Sequence, residues 1–146
     1  MPRGPVPTVQ DFPVHYVTRI LFSDLDAQMH VNNIAYIRWF QEGRADFDTG
    51  VLKAGLHGAK LRLVLAHQEI DYFSPLHYPG SVTVATGVRR IGTASYTLGH
   101  AVFRDDVCHA RGQSVMVKLG ESGGGSLSDL ERSVLVGGQI TGPWSA

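Results

Sequence analysis

A single long helical pattern between runs of alternating residues is the feature that most constrains how this chain folds. The segment IAYIRWFQEGRADFDTGVL, residues 34–52, repeats its side chains at the spacing of an α-helix. The residues at that spacing are Ile34, Ile37, Phe40, Gln41 and Arg44, and Tyr36, Trp39 and Phe47 widen the apolar side. A helix that is apolar around most of its girth has to be buried, so we expect a sheet to wrap around it.

Five other segments alternate with a period of two, which is typical of β-strands. They are residues 14–22, 61–73, 81–91, 94–104 and 107–119. The connections Gly92-Thr93 and Asp105-Asp106 are short enough for antiparallel hairpins. The sequence therefore predicts an α+β domain, in which the last four strands form an antiparallel meander and the first strand joins the same sheet.

The length of 146 residues fits one domain with a substantial core. We expect a flexible, proline-rich N-terminal arm over residues 1–13 and the folded domain over residues 14–120. A Gly-rich linker, a short C-terminal helix and a tail are expected over residues 121–146. Ser128 and Glu131 match a capping box that would start this helix, and Trp144 is expected to dock on the domain or on a partner subunit.

Composition argues against several classes of function. Lysine plus arginine and aspartate plus glutamate both number 13, so no net basic field attracts nucleic acid or a membrane surface. No window approaches ~18 consecutive apolar residues, and the N-terminal region has no apolar core of signal-peptide length, so we expect a cytoplasmic protein. Cys108 is the sole cysteine, which excludes an intramolecular disulfide, and its alternating surroundings favour a plain strand residue over a nucleophile.

The junction SDLDAQMHVNN, which joins the first strand to the helix, concentrates polar groups. Asn32 and Asn33 are good N-cap residues. The first N–H groups of a helix are unpaired and carry partial positive charge, so they can stabilise the oxyanion that forms in acyl transfer. Asp26 beside them would supply a nucleophile or a general base, and His30 would orient it, donate to a substrate or cap the turn. Each residue alone is more often a turn residue, and the combination predicts an acyl-transfer site.

Other chemical signatures in the sequence are weak. The seven histidines lack the paired spacing of zinc ligands, and there is no GxSxG elbow, P-loop or GxGxxG motif. His67, Glu69 and Asp71 share one strand face, which we interpret as solvated. Arg89 and Arg90 at a hairpin are candidates to contact phosphates of a substrate. We therefore expect no metal ion and no bound redox cofactor.

The segment RILFSDLDAQMHVNNIAYIRWFQEGR resembles the signature of hot-dog-fold acyl-CoA thioesterases of the 4-hydroxybenzoyl-CoA thioesterase type. That signature runs from a strand through D-x-D-x-x-x-H-V-N-N to x-x-Y on a helix, and the segment is also similar to plant acyl-ACP thioesterases. Downstream, IDYFSPLHYPGSVTVATGVRRIGTASYTLGHAVF resembles the second to fourth strands of that family. The likeness covers roughly residues 14–119.

The resemblance implies a five-stranded antiparallel sheet around a long central helix, assembled into a homodimer or homotetramer with active sites between subunits. It also implies hydrolysis of an acyl-CoA, or of a carrier-protein thioester, to a free acid. Carried over residue by residue, it makes Asp26 the catalytic carboxylate, as nucleophile or general base, and His30 a member of the catalytic set. Asn33 or Asn32 would cap the helix whose first N–H groups hold the thioester oxygen, and Tyr36 would line the acyl or pantetheine channel.

The chain departs from the family pattern at two positions of the junction. Many members have glycine where this chain has Met29, and the acyl-ACP enzymes have asparagine where it has Gln28. Both residues are expected to contact substrate and to reshape the acyl entrance. Asp24 is expected to be structural. Another hot-dog subgroup uses a helix glutamate as its base, so Glu42 is the second candidate for that role.

Two other functions of the same fold stay open at the level of the sequence. One is a non-catalytic acyl-CoA-binding module, against which the intact Asp26 and His30 argue. The other is an enoyl or hydroxyacyl dehydratase, which places a different histidine and acid pair around the helix. Thiol release from an acyl-CoA would separate hydrolysis from both.

Overall fold

An antiparallel sheet packs against one long helix in the computed structural model, which describes residues 4–120 and 123–145. The strands are β1 (Val14–Arg19), β2 (Leu63–Tyr72), β3 (Ser81–Ile91), β4 (Ser95–Arg104), β5 (Val107–Gly120) and the two-residue β6 (Gly123–Gly124). The helices are α1 (Asn33–Phe47) and α2 (Asp129–Val136). The predicted α+β class, with five long strands and a long helix, is therefore confirmed.

The order of the strands corrects one part of the prediction. The sheet runs β1-β3-β4-β5-β2, with β6 beside β5, so the meander has three strands rather than four. β2 pairs with β5 and not with β3. Alternation alone cannot say which strands pair, and the connection over residues 73–80 is too long to be a tight hairpin. It carries the chain past the start of α1, where the Val31 N–H donates to the Leu76 carbonyl at 3.0 Å.

The sheet covers only one face of α1. Tyr36, Trp39 and Phe40 are buried against it, whereas Ile34 and Ile37 on the opposite face are 68% and 44% exposed. Within one chain the helix is therefore less enclosed than its apolar pattern predicts. Gly43 lies so close to β3 that a Cβ there would be 2.5 Å from the Thr86 Oγ1, which explains a glycine within the helix.

The far end of α1 continues as a π-helical turn, Asp48–Lys53. Behind this turn, Phe47 belongs to a buried cluster with Leu98 of β4 and Leu135 of α2. α2 begins after Ser128, whose hydroxyl accepts from the Glu131 N–H at 3.1 Å, while the Glu131 carboxylate accepts from the Ser128 N–H at 2.8 Å. The predicted capping box is therefore confirmed.

The other face of the sheet is covered by both ends of the chain. Trp144 docks on its own domain, where the Arg89 guanidinium lies 4.1 Å from the centre of its ring. Phe12, in the segment predicted to be a flexible arm, is buried, and the centre of its ring lies 6.1 Å from that of Trp144. The packed part of the chain thus begins before residue 14. Glu121 and Ser122 of the predicted linker lie outside the described residues.

No helix in the described part of the chain combines the length and the apolar character needed to span a membrane.

Candidate active site

A buried carboxylate fixes the entrance to the junction between β1 and α1. Asp24 is only 2% exposed and lies in a 3-10 turn, Phe22–Asp24. Its Oδ1 is 2.8 Å from the Arg38 Nη2, and its Oδ2 accepts from the Leu21 N–H at 2.8 Å. A buried carboxylate with these partners ties the junction to the helix, since leaving it unpaired would be costly. Asp24 is therefore occupied by structural contacts.

The second carboxylate lies in a tight, exposed turn. The Asp26 Oδ1 accepts from the Gln28 N–H at 2.8 Å and from the His30 N–H at 3.3 Å. The backbone closes the same turn, because the Met29 N–H donates to the Asp26 carbonyl at 3.0 Å and Met29 adopts a φ of 62°. Both side-chain bonds go to one oxygen, and within the described chain Oδ2 makes no hydrogen bond. The turn thus orients the carboxylate while leaving one oxygen for chemistry.

His30 orients Asp26 through its backbone rather than through its ring. Its N–H donates to the carboxylate, and its carbonyl accepts from the Asp26 N–H at 2.9 Å. The ring packs edge-on against His77, with the ring centres 5.0 Å apart. The imidazole therefore lies at the rim of the site, where it can face a substrate instead of the carboxylate.

The first turn of α1 is capped by Asn32, which resolves the two candidates that the sequence left open. The Asn32 Oδ1 accepts from the Ala35 N–H at 3.2 Å, and Asn33 is the first helical residue. The first N–H groups of a helix have no intrahelical acceptor. Since the cap serves that of Ala35, the N–H groups of Asn33 and Ile34 are the ones available to an external oxygen.

Tyr36 forms the buried wall of the site. Its ring packs edge-on against Tyr72, with the ring centres 5.1 Å apart, and against Trp39 at 5.3 Å. Burial, with a smaller contribution from Tyr72, raises the pKa of Tyr36 to about 12. The phenol is therefore protonated at neutral pH and can donate a hydrogen bond.

These side chains meet in one cavity of about 430 Å³. The structure brings together five of the sequence-predicted site residues there, namely Asp26, His30, Asn32, Asn33 and Tyr36. The opposite wall, Tyr72–Pro75, was missed as a site element. It is tied to β5, because the Phe73 N–H donates to the His109 carbonyl at 2.8 Å. The Asp-Tyr pair at the end of the second strand was the signal that could have found it.

The remaining predicted site residues lie elsewhere. Gln28 and Met29 are exposed at the tip of the turn and do not line the cavity within one chain. Arg89 and Arg90 are at the opposite end of β3 from residue 81, which pairs with Arg19 just before the junction. At about 3.3 Å per residue, the eight residues from Ser81 to Arg89 span about 26 Å along β3. Glu42 is exposed on α1, beyond the cavity.

Cys108 does not line this cavity. The Cys108 thiol is buried, and burial raises its pKa to about 11, so it is not a thiolate at neutral pH. Across residues 4–120 and 123–145, no three histidine, cysteine, aspartate or glutamate side chains come close enough to hold a metal ion.

The chain is similar to known proteins over most of its length. A family model described as the thioesterase-like superfamily matches residues 20–130. A curated protein of Aquifex aeolicus (strain VF5), described as a candidate esterase, is 28% identical over 113 residues, which are 75% of this chain and 88% of that protein.

Solved structures of thioesterases have a fold similar to that of this chain. A thioesterase of Thermus thermophilus, crystallised with coenzyme A and Zn, has a TM-score of 0.76 at 25% identity and covers 88% of this chain and 95% of that chain. A 1,4-dihydroxy-2-naphthoyl-CoA thioesterase from Synechocystis has a TM-score of 0.69 at 16% identity, covering 84% of this chain and 94% of that chain. At such low identity the second likeness concerns the fold alone. The predicted hot-dog architecture is confirmed.

Proposed function

The chain belongs to the thioesterase-like superfamily, and from that premise we propose that it hydrolyses an acyl-CoA thioester to a free acid and coenzyme A. Membership of the superfamily supports thioester hydrolysis in general. The observation that carries the finer proposal is that Asp26 and the start of α1 share one cavity. A carboxylate can supply the nucleophile or general base for thioester hydrolysis, and a helix N-terminus can stabilise the oxyanion.

The start of α1 serves as the oxyanion site. The N–H groups of Asn33 and Ile34 lie beyond the Asn32 cap and carry the positive end of the helix dipole. A thioester carbonyl oxygen placed there gains negative charge as the carbonyl carbon is attacked. Fixed donors stabilise that charge more than they stabilise the neutral carbonyl, so they lower the barrier rather than merely binding the substrate.

Asp26 acts on the carbonyl carbon by one of two routes. As a nucleophile, its free oxygen bonds to the carbon, the C–S bond breaks, coenzyme A leaves as a thiolate, and water then hydrolyses the mixed anhydride. As a general base, it takes a proton from water, the water oxygen bonds to the carbon, and the proton passes to the departing sulfur. Both routes need a carboxylate with an open oxygen, which the turn around Asp26 supplies.

The other cavity residues position the substrate. The protonated phenol of Tyr36 donates to the pantetheine or acyl group, and the His30 ring at the rim faces the departing sulfur. Gln28 and Met29 contact the pantetheine arm from the exposed tip of the turn. Arg89 and Arg90 lie at the end of β3 away from the junction and stay candidates for the phosphates, which the pantetheine arm of coenzyme A carries far from the thioester.

We propose a homodimer through the edge of the sheet, and a homotetramer if two dimers associate. β2 is one of the two edge strands, and its Val64, Leu65 and Tyr72 are 42%, 45% and 50% exposed. An apolar edge strand is a template for pairing with a second copy. Leu65→Lys should lower the mass measured by light scattering, because a charge on this apolar strand would disfavour its burial against a second copy. Val17→Lys on β1, the other edge, should leave the mass unchanged.

The experiment that tests the reaction is thiol release from a panel of short, long, branched and aromatic acyl-CoA esters. Asp26→Asn should lower kcat on the best substrate by about 10²–10⁴-fold, because the amide neither attacks nor accepts a proton. Glu42→Gln is the matched control and should stay near the unsubstituted rate.

The panel also decides between the alternatives. Full activity in Asp26→Asn together with loss of activity in Glu42→Gln would identify Glu42 as the general base. Binding of acyl-CoA without thiol release would make the chain a non-catalytic binding module. Addition of water to an enoyl-CoA without thiol release would make it a dehydratase.

A further inference from the structure

A second cavity, also of about 430 Å³, lies at the far end of α1. It is formed by the π-helical turn Asp48–Lys53, the loop over residues 58–62 and the start of β2. It shares no lining residue with the cavity at Asp26. π-Helical turns are rare and often occur at functional sites, so this departure from the α-helix is a reason to examine what it encloses.

The floor of this second cavity is apolar. Leu52 and Leu56 are buried, and Leu61 and Leu63 are half-buried beside them. A concave surface of this size, lined mainly by aliphatic side chains with a few polar groups, has the character of a small-molecule site. We therefore expect a ligand of this cavity to contain a hydrocarbon chain.

The polar groups around that floor are mainly cationic. Lys53, Lys60 and Arg62 line the cavity from exposed positions. Asp48 is the one carboxylate among the lining residues of the described chain, and it lies deeper, near Lys53 and Arg44. Because Lys53 faces that carboxylate, Lys60 and Arg62 provide the excess positive charge. The cavity thus combines an aliphatic floor with a cationic rim.

We propose that this cavity binds an unbranched monocarboxylate of the fatty-acid type, with the hydrocarbon chain on the leucine floor and the carboxylate at Lys60 and Arg62. Charge complementarity favours a carboxylate head over a neutral or cationic one, since ammonium and guanidinium groups bind carboxylates through charge-assisted hydrogen bonds. The binding is independent of the Asp26 chemistry and of the proposed hydrolysis.

Displacement of a fluorescent dansyl-labelled undecanoic acid tests the proposal on the full chain near neutral pH. Displacement should give decanoate an affinity at least about tenfold higher than that of decanol or decylammonium, which have the same chain and a different head group. Lys60→Gln combined with Arg62→Gln should remove about tenfold of the decanoate affinity and leave that of decanol unchanged. Both residues are exposed, so the double variant should fold.

A pair of filling variants locates the ligand. Ala59→Trp places a ring in the second cavity from an exposed position and should abolish displacement, whereas Pro75→Trp obstructs the cavity at Asp26 and should preserve it. Thermal unfolding establishes whether each filling variant is folded. If one of them is not, the double variant Lys60→Gln and Arg62→Gln tests the proposal instead. The proposal is overturned if decanoate fails to bind at about 1 mM, if decanol binds equally well, or if only Pro75→Trp removes binding.

Discussion

The two ends of α1 are built in different ways. At the start of the helix, contacts join residues that are close in sequence, such as Asp26 to Gln28 and Asn32 to Ala35. At the far end, Phe47 packs with Leu98 and Leu135, which come from distant segments. The first end consists mainly of oriented charges and hydrogen-bond donors near the surface, and the second end is held together by buried apolar side chains.

This difference predicts that activity and stability reside at opposite ends of one helix. Oriented polar groups near solvent contribute little net stability, because water satisfies them equally well in the unfolded chain. Buried aliphatic side chains contribute most of the stability and take no part in the chemistry. Substitutions at each end should therefore separate the free energy of unfolding from the rate of thiol release.

The largest expected effect is at the far end. Leu135→Ala removes a fully buried side chain and should lower the free energy of unfolding by about 3 kcal/mol, because the cavity it leaves cannot be refilled completely. Thiol release per folded molecule should not change. Leu130→Ala in the same helix is the control, since Leu130 is 51% exposed and should cost less than about 0.5 kcal/mol. A parallel fall in rate and stability in Leu135→Ala would show that the two ends are coupled.

A polar network under the middle of α1 gives a smaller, pH-dependent effect. The His100 ring is stacked on Phe40, with its Nδ1 3.1 Å from the Thr86 Oγ1 and its Nε2 3.1 Å from the Ser114 Oγ. Burial first, and then the charge of Arg44, lowers the pKa of His100 to about 3. The ring is therefore neutral in the folded protein throughout the mildly acidic range.

The consequence for stability follows from the proton taken up on unfolding. In the unfolded chain the pKa of His100 is about 6.5, so below that pH the unfolded histidine takes up a proton that the folded one does not. The free energy of unfolding therefore falls as the pH drops from 6.5 towards the pKa of the folded state. From pH 7 to pH 5 the loss due to His100 should be about 2 kcal/mol. Urea unfolding of the unsubstituted protein and of His100→Gln at both pH values measures this loss. The free energy of unfolding of the variant should fall by about 2 kcal/mol less between pH 7 and pH 5. Equal losses in both proteins would mean that His100 is protonated in the fold.

The local construction of the first end explains how much of it the sequence could predict, namely a helix cap at Asn32 or Asn33 with Asp26 close by. The cap at Asn32, the structural role of Asp24 and the position of Asp26 depend on neighbours within the junction or the first turns of α1. The wall Tyr72–Pro75 reaches the same cavity only because β2 pairs with β5 at the edge of the sheet, and strand order is not encoded in alternation.

The far end shows the same limit more strongly. The apolar pattern of residues 34–52 predicted one continuous helix, and nothing in its spacing marked the change to a π-helical turn at Asp48. The second cavity joins that turn to the start of β2, a contact between segments that no local pattern describes. The direction of β3 places Arg89 and Arg90 at the end of that strand away from the junction, and their predicted contact with the phosphates of a substrate stays a prediction.

At the first end, removing the helix cap should affect rate more than stability. Asn32→Ala should cost about 1 kcal/mol of unfolding free energy, because the Ala35 N–H loses its side-chain acceptor. It should also lower kcat by about tenfold, since the N–H groups of Asn33 and Ile34 would no longer be held towards the thioester oxygen. Asn32→Ser is the matched control, because a serine hydroxyl can cap the same N–H. A serine variant as slow as the alanine variant would assign the amide itself a role in the reaction.

The smallest effect should come from Met29, the residue that closes the turn around Asp26. Its φ of 62° is unfavourable for a side chain with a Cβ and natural for glycine. Met29→Gly should therefore raise the free energy of unfolding by about 0.5 kcal/mol, the relief of strain being offset in part by the freedom of glycine in the unfolded chain.

Met29→Ala separates the two properties of this residue, because it keeps the strained backbone and removes the exposed side chain. If the side chain contacts the pantetheine arm, both variants should raise KM by a similar factor, while only the glycine variant gains stability. Chemical unfolding and a series of thiol-release rates against acyl-CoA concentration measure the two quantities. An unchanged KM in both variants would mean that the methionine side chain does not touch the substrate.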